Sequence, residues 1–409
     1  MTTTGKLLSI NKYHYRRGGA EAVYFDHAAL FESLGWENAF FSMQHPKNEP
    51  CAQQEYFVEE IELGHQYGLR EKISKAAKIV YSFEARSRLA ALLDEFSPDI
   101  AHVHSAYHQI SPSILSLLKQ RGIPVVLTAH DLKILCPAYT MLSNGSVCEA
   151  CKGGKVWNVA TRRCIKGSVA LSSLIALEAM VHGVLKSYSG NVDRVVTPSR
   201  FYRDKFIEWG WSADQLLYVP NYVDASQFEP EYGGGDYFFY FGRLVRDKGV
   251  HTLIRAAADA DVTLLIAGTG PHADEFRELA TKLRARVEFL GFRSGNDLHN
   301  LIRNARAVVL PSEWYENAPI SLLEAYAFGT PVIGADIGGI PEMISAGETG
   351  WLFESGSTES LASALGKVIH LSDAELESAG RAARQHVEQH YTPAIYRESM
   401  QQLYSELRS

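Results

Sequence analysis

Short, densely apolar runs alternate along this chain with longer stretches in which apolar residues return every three or four positions. Residues 6–10, 37–41, 56–61, 100–104, 125–129 and 194–197 have the length and content of buried strands. Residues 237–241, 264–267, 288–291 and 308–310 repeat the rhythm further along. Helical patterns lie between several of these runs, the first ending near Gly35. More helix is expected at 358–370, 373–390 and 393–407, the last with Tyr396, Met400, Leu403 and Leu407 on one core-facing stripe. Strands alternating with helices predict an α/β fold of parallel, doubly wound sheets. Pro220-Asn221 and the breaker Tyr232-Gly-Gly-Gly-Asp236 place a linker near 220–235.

Length and charge narrow the class. The 409 residues suffice for two domains, each with its own core, and 46% hydrophobic with 21% charged residues is ordinary for a globular protein. A net charge of −7 argues against a general nucleic-acid binder. The opening residues hold too short an apolar run for a signal peptide, and no window reaches the length of a membrane span. Five cysteines, four of them clustered, do not resemble the framework of a small secreted protein. The expectation is a cytoplasmic enzyme.

The densest chemistry runs from Pro311 to Glu342, PSEWYENAPISLLEAYAFGTPVIGADIGGIPE. It reads as a strand end, a loop with Glu316, a short helix with Pro319 in its first turn, a strand, and the turn Gly338-Gly339. Glu324 follows Glu316 by eight positions, ~12 Å at helical rise. That span suits a nucleoside diphosphate sugar, with a helix N-terminus between the carboxylates for the diphosphate. Upstream, a strand leads into Gly242-Arg243 and Lys248-Gly249, where arginine and lysine offer a fork and a mobile point charge to phosphate. Gly18-Gly19, with Arg16 and Arg17 beside it, stands between the first strand and helix, where backbone can approach a phosphate. His102, His104 and His130 fall at strand ends, the edge at which doubly wound sheets bind ligands.

Glu316-Asn-Ala-Pro, the segment around Glu324, Gly338-Gly-Ile-Pro-Glu342, Gly242-Arg243-Leu with Lys248-Gly249, and Thr128-Ala-His130-Asp131 together resemble retaining glycosyltransferase family 4. The resemblance implies the GT-B fold: two Rossmann-like domains facing a central cleft, with a C-terminal helix crossing back to the first. The expected boundaries are an acceptor-binding domain at 1–222 with a Cys-rich insertion at 136–164, a nucleotide-sugar domain at 223–390, and the returning helix at 391–409. It also implies transfer of a sugar from a UDP- or GDP-sugar to a hydroxyl of a glycan or lipid-linked glycan, as in cell-surface polysaccharide synthesis. Arg243 and Lys248 would hold the diphosphate, Glu324 the ribose, and Glu316 the sugar. Asn317, Ala318, Pro319, Ile320, Gly18, Gly19, Gly268 and Phe292 would line the donor, the last beside the base. His130 would face the sugar, with His104 and Arg16 on the acceptor side. No dedicated nucleophile is assigned, and Asp259 and Asp261 sit away from the donor residues, so catalysis is expected to need no divalent ion or other cofactor. A nucleotide-sugar epimerase and a non-catalytic nucleotide-sugar binder of the same fold are the alternatives.

Cys136, Cys148, Cys151 and Cys164 form C-x11-C-x2-C-x12-C. Four thiolates with one tight pair can close a structural zinc site; an iron–sulfur cluster or plain reduced thiols are the alternatives. Residues 169–188 read as a core-facing helix, or as an interfacial one making a peripheral contact at the inner face of the cytoplasmic membrane.

Overall fold

Strands apolar on both faces must be covered from both sides, which parallel sheets flanked by helices achieve. The computed structural model describes residues 4–61 and 69–408. It divides into two compact units, one of residues up to 143, 148–219 and from 397 onward, the other of 144–147 and 220–396.

The first unit contains β1 (Lys6–Asn11), α1 (Gly19–Ser33), β2 (Glu37–Phe41), α2 (Leu69–Val80), α3 (Phe83–Glu95), β3 (Ile100–Ser105), α4 (Ser113–Gln120) and β4 (Val125–Thr128). The insertion follows, with the two-residue strands β5 (Leu142–Ser143) and β6 (Ser146–Val147), the latter among the residues grouped with the second unit, and the short α5 (Asn158–Thr161). Then come α6 (Val169–Val184), β7 (Arg194–Thr197), α7 (Arg200–Glu208) and β8 (Leu216–Tyr218). Six strands, all parallel, run in the order β2-β1-β3-β4-β7-β8. Every residue of β4 is buried, as its Val-Val-Leu-Thr composition requires. Ser82, Ser168 and Ser199 cap α3, α6 and α7 by accepting a backbone N–H two or three residues into each helix.

The expected strand at 56–61 is a correction. Gln54–Tyr56 is one turn of 3-10 helix, and Val58 makes only a single bridge to Met43. Glu59 is held instead by Lys75 at 3.3 Å and Lys78 at 2.7 Å, which takes the segment off the sheet edge.

In the second unit β9 (Tyr237–Phe241), α8 (Val250–Asp259), β10 (Thr263–Ala267), α9 (Ala273–Leu283), β11 (Val287–Gly291) and α10 (Gly295–Arg303) lead to β12 (Ala307–Leu310). After it come α11 (Ile320–Ala327), β13 (Val332–Ala335), β14 (Gly350–Phe353), α12 (Thr358–Ile369) and α13 (Asp373–His390). Its parallel sheet has the order β11-β10-β9-β12-β13-β14. Strand order therefore reverses between β9 and β12, and the carboxyl ends of that pair are where such a sheet opens a crevice. In the first sheet the reversal lies between β1 and β3. The last helix, α14 (Pro393–Arg408), belongs to the first unit from Arg397 onward. There Tyr404 is fully buried, its hydroxyl 2.6 Å from His102 Nδ1 and 2.9 Å from His27 Nε2.

Candidate active site

In the second unit the reversal point carries the residues singled out from sequence. The loop leaving β9 holds Arg243, exposed, and Lys248 in a 3-10 turn; the loop leaving β12 holds Glu316, buried. Lys248 Nζ lies 2.5 Å from Glu316 Oε1. The same oxygen accepts Ser312 Oγ–H at 2.6 Å and Trp314 Nε1–H at 2.8 Å. Burial alone would push the Glu316 carboxyl up, but the Lys248 charge and the bonds from Lys248, Ser312 and Trp314 outweigh it and hold the pKa below the usual value. Glu316 is thus an ionised carboxylate with three donors on one oxygen. Lys248 also sits over the Trp314 ring, 5.2 Å from its centroid. Ser312 and Trp314 were not singled out from sequence; their proximity to Glu316 was visible, but the backbone turn that aims all three inward was not.

Two glycines make this approach possible. Gly249 has φ +67°, and a Cβ there would meet the Pro311 carbonyl oxygen at 1.7 Å, so only glycine lets the Lys248 loop close on the β12 loop. Gly338 has φ +64°, and a Cβ would stand 2.4 Å from the Glu316 carbonyl oxygen. Gly339 then donates its N–H to that oxygen at 2.8 Å, fixing the backbone of Glu316 from the far side. Gly268, just past β10, follows Ala267, whose carbonyl accepts the Gly242 N–H at 3.0 Å.

Helix α11 starts one residue later than expected. Pro319 is its N-cap, with ψ 120°, and no side chain caps the first turn. Its leading N–H groups are therefore left for an external acceptor. Only the last four of the eight steps from Glu316 to Glu324 are helical, so helical rise accounts for about 6 Å of the path and the ~12 Å figure does not apply. Asn317 and Ile320 are half-buried, and buried Ala318 accepts a hydrogen bond from Asn221 Nδ2 at 2.9 Å. Glu324 is half-buried, and desolvation raises its pKa to about 7. Phe292 stands 70% exposed in the loop after β11, an aromatic face without a covering layer.

In the first unit a histidine column runs inward from the carboxyl end of the sheet. His130 Nε2 lies 2.9 Å from His104 Nδ1, with the two rings stacked at 5.2 Å. His104 stacks in turn on His102 at 4.3 Å, and His102 contacts His27, Thr128 and Tyr404. Burial lowers all four pKa values, to about 4 for His130 and about 3 for His27, so the column is neutral at pH 7. Among the described residues His104 Nε2 is buried without a hydrogen-bond partner. Beside the column, Lys12 and Asp131 are charged groups that sequence reasoning did not select. Burial lowers the first and raises the second, while each opposes that shift in the other.

Gly18 caps α1 in extended conformation and Gly19 is the helix's first residue. Arg16 bonds Asp26 at 2.8 Å on the surface, and Arg17 lies over the Tyr13 ring at 4.6 Å.

Within the insertion all four cysteines, like Cys51, are free thiols. Burial first, then the neighbouring sulfurs, push Cys151 up to about 12 and raise Cys164; Cys136 is raised by burial, with Cys148 a minor contributor. Four soft donors within electrostatic reach suit zinc chemically. Their positions do not: among the described residues no group of three or more His, Cys, Asp or Glu side chains is placed so that it can hold a metal ion. Next to them lies a cavity of about 220 Å³ lined by Lys133, Cys151, Glu178, Tyr188, Trp209 and Trp211, with Lys133 and Glu178 paired at 2.9 Å on its wall.

Comparison with known proteins gives two family matches. The model "Glycosyltransferase Family 4" covers residues 17–227, just over half the chain, and "Glycosyl transferases group 1" covers 224–386. The chain is 32% identical over 223 residues to a glycogen synthase of Mycobacterium tuberculosis, an alignment spanning 51% of this chain and only 53% of that protein. It is 27% identical to N-acetyl-alpha-D-glucosaminyl L-malate synthase of Bacillus anthracis, over 75% of this chain and 74% of the relative. Among solved structures, sucrose-phosphate synthase from Thermosynechococcus elongatus superposes with TM-score 0.72 at 20% identity, covering 98% of this chain and 99% of the other. HepE of Anabaena, in complex with UDP and glucose, gives 0.68 at 18% identity, with 98% and 100% coverage. These likenesses show the GT-B fold.

Proposed function

Because the chain belongs to glycosyltransferase family 4, we propose that it moves a hexose-type sugar from a nucleotide diphosphate sugar to an acceptor hydroxyl with retention of configuration. The single observation that carries this reading is the Lys248–Glu316 pair at the β9/β12 reversal, with three donors gathered on one carboxylate oxygen. That arrangement supports a role for Glu316 as an acceptor for sugar hydroxyls and for Lys248 beside it as a cation for phosphate. Arg243 adds a second cation from the same loop, and the uncapped first turn of α11 adds backbone N–H groups. Glu324, on that helix, accepts from the ribose hydroxyls. Phe292 offers its exposed face to the base. The donor is a UDP- or GDP-sugar; HepE, of the same fold, was solved with UDP and glucose.

We propose that His130, neutral and hydrogen-bonded to His104, exchanges a hydrogen bond with a sugar hydroxyl rather than supplying charge. Charge developing on the departing diphosphate is met by Arg243, Lys248 and the helix N-terminus. No step is assigned to a metal ion. The acceptor is a glycan or a lipid-linked glycan, and the insertion with its cavity shapes that side. We also propose that the four cysteines close on a structural zinc ion, which requires the sulfurs to draw together from their present positions. The support is the donor chemistry: four free thiols within one short insertion.

Donor hydrolysis and transfer assays on Glu316→Ala and Lys248→Ala test the central reading. Each variant is expected to retain its fold by circular dichroism and to lose about a hundredfold or more in rate. Parent-like rates in both would remove it.

A further inference from the structure

We propose that the outer face of α6 and the basic residues at its two ends form a docking surface for an anionic lipid bilayer. The helix has sixteen residues, VALSSLIALEAMVHGV, and only two ionisable side chains. Both turn inward. Glu178 is 1% exposed and pairs with Lys133 at 2.9 Å and His108 at 3.0 Å; His182 donates to the Val80 carbonyl at 2.8 Å.

The opposite face carries no charged residue along its full length. Val169, Leu177, Met180 and Val184 are 51, 49, 47 and 80% exposed, and Leu185 just beyond is 56% exposed. Ala170 and Ser173, also exposed, fill the gaps in the stripe. Among the described residues, five of the twelve exposed large hydrophobics lie on this one helix and its C-cap. Singly scattered apolar residues on a surface are ordinary, whereas a contiguous stripe marks a contact site. A helix facing water would carry lysine and glutamate there. The α2–α3 junction reaches the same helix through the His182–Val80 bond, and Phe83, three residues beyond Val80, is 77% exposed.

Charge selects the occupant. Residues 150–190 carry six Lys or Arg against one carboxylate, the buried Glu178, in a chain whose net charge is −7. Arg162, Arg163 and Lys166, all exposed, precede the stripe, and Lys186, also exposed, follows it. An anionic lipid surface neutralises such flanks, and the net negative charge of the whole chain turns other faces away from it. A second copy docking by the same face would set like charges close together. Among the described residues no helix is long and apolar enough to cross a membrane, so α6 lies in the interface plane rather than spanning it. This deepens the reading above, resting on its lipid-linked acceptor for its purpose: the surface would hold the first unit where a membrane-borne acceptor is presented.

Vesicle co-sedimentation tests it with the full chain and no donor, so the result is independent of whether sugar transfer occurs. The parent should pellet with phosphatidylcholine vesicles containing phosphatidylglycerol, much less with phosphatidylcholine alone, and less in high salt. The triple variant Leu177→Asp, Met180→Asp, Val184→Asp should bind at least about tenfold more weakly. Arg162→Glu with Arg163→Glu should lose about fivefold or more per site, on the anionic vesicles only. Leu283→Asp, an exposed apolar position in the second unit, should pellet like the parent. Circular dichroism melting checks that each variant folds, and the charge-reversal pair keeps the test decisive if the triple variant does not. A parent that stays in the supernatant at low salt, or a folded triple variant that pellets like the parent, overturns the proposal. So does sedimentation velocity showing a dimer that the triple variant abolishes, which would assign the stripe to a second copy.

Discussion

Replacing Glu324 with glutamine should strengthen the folded protein at neutral pH while weakening its hold on the donor. Desolvation raises the Glu324 pKa from 4.5 to about 7. A carboxyl whose folded pKa lies above its unfolded value costs nothing below pH 4.5, where both states are protonated. As pH rises from 4.5 to 7 the unfolded chain ionises first, so stability falls, and above pH 7 the full cost remains. Each pKa unit corresponds to about 1.4 kcal/mol, so the cost reaches at most about 3.5 kcal/mol, less for the share of the side chain that water still reaches. Glutamine keeps the shape and loses the charge. Thermal unfolding of nucleotide-free protein should therefore show the parent losing several degrees of melting temperature between pH 5 and pH 8, and Glu324→Gln losing little of it. At pH 8 the variant should melt higher. In donor titrations the same variant should bind a nucleotide sugar about tenfold or more weakly, because a charged acceptor for the ribose hydroxyls has become a neutral one. Parallel pH profiles for parent and variant would refute the desolvation argument. Unchanged donor affinity would refute the ribose assignment even if the stability gain appears.

Lys248→Ala leaves the Glu316 carboxylate, 9% exposed, without its cation and should cost about 2 kcal/mol, reduced from the fully buried case because Lys248 itself is 26% exposed. Since the parent's Glu316 pKa is held low, its stabilising share is present above pH 4.5 and fades as pH falls below it; denaturant titrations at pH 7 and pH 4 should show a smaller gap between parent and variant at pH 4. His130→Ala should lower transfer about tenfold to a hundredfold, and because burial puts the parent's His130 at about 4, the parent's rate should show no acid limb between pH 5 and 7 that the variant lacks. Metal analysis of protein purified without chelator should find close to one zinc per chain, and a chelator should lower the melting temperature; absence of metal would leave Cys136, Cys148, Cys151 and Cys164 as free thiols.

Much of the fold was legible because parallel sheets write themselves as continuous apolar runs. The stretches that became β4, β9 and β12 have no polar face to confuse the pattern, and β1 and β3 stay legible because their polar residues are themselves buried. The short strands β8 and β14 escaped notice, since three or four residues carry too little periodicity. The 56–61 run misled for the opposite reason: its apolar residues are real core, but Glu59 answers to Lys75 and Lys78 rather than to a neighbouring strand. At the site, Lys248 and Glu316 were readable as a pair of chemistries 68 residues apart, though not as a contact, because Gly249 and Gly338 close the distance through backbone that sequence does not specify. The histidine column was half visible. His104 and His130 stand near the carboxyl ends of β3 and β4, but His102 lies mid-strand in β3 rather than at the expected strand end, and His27 on α1 and Tyr404 on α14 join them only through tertiary packing.

That column also explains why a histidine rather than a permanently charged residue occupies position 130. A lysine there would bring an ammonium into a stack of buried neutral rings, where burial opposes the charged form. A neutral imidazole, by contrast, brings no charge to desolvate, and His104 meets its Nε2 at 2.9 Å. The chain of rings passes orientation from the core to the sheet edge, since His102 is fixed by Thr128 at 2.7 Å and Tyr404 at 2.6 Å. Tyr404→Phe should therefore act on His130 from a distance: it removes a hydroxyl that no substrate touches, yet should lower kcat about twofold to tenfold with donor KM unchanged, because a less firmly held imidazole misplaces its hydrogen bond. A variant that loses stability but keeps kcat would show that the column is packing alone.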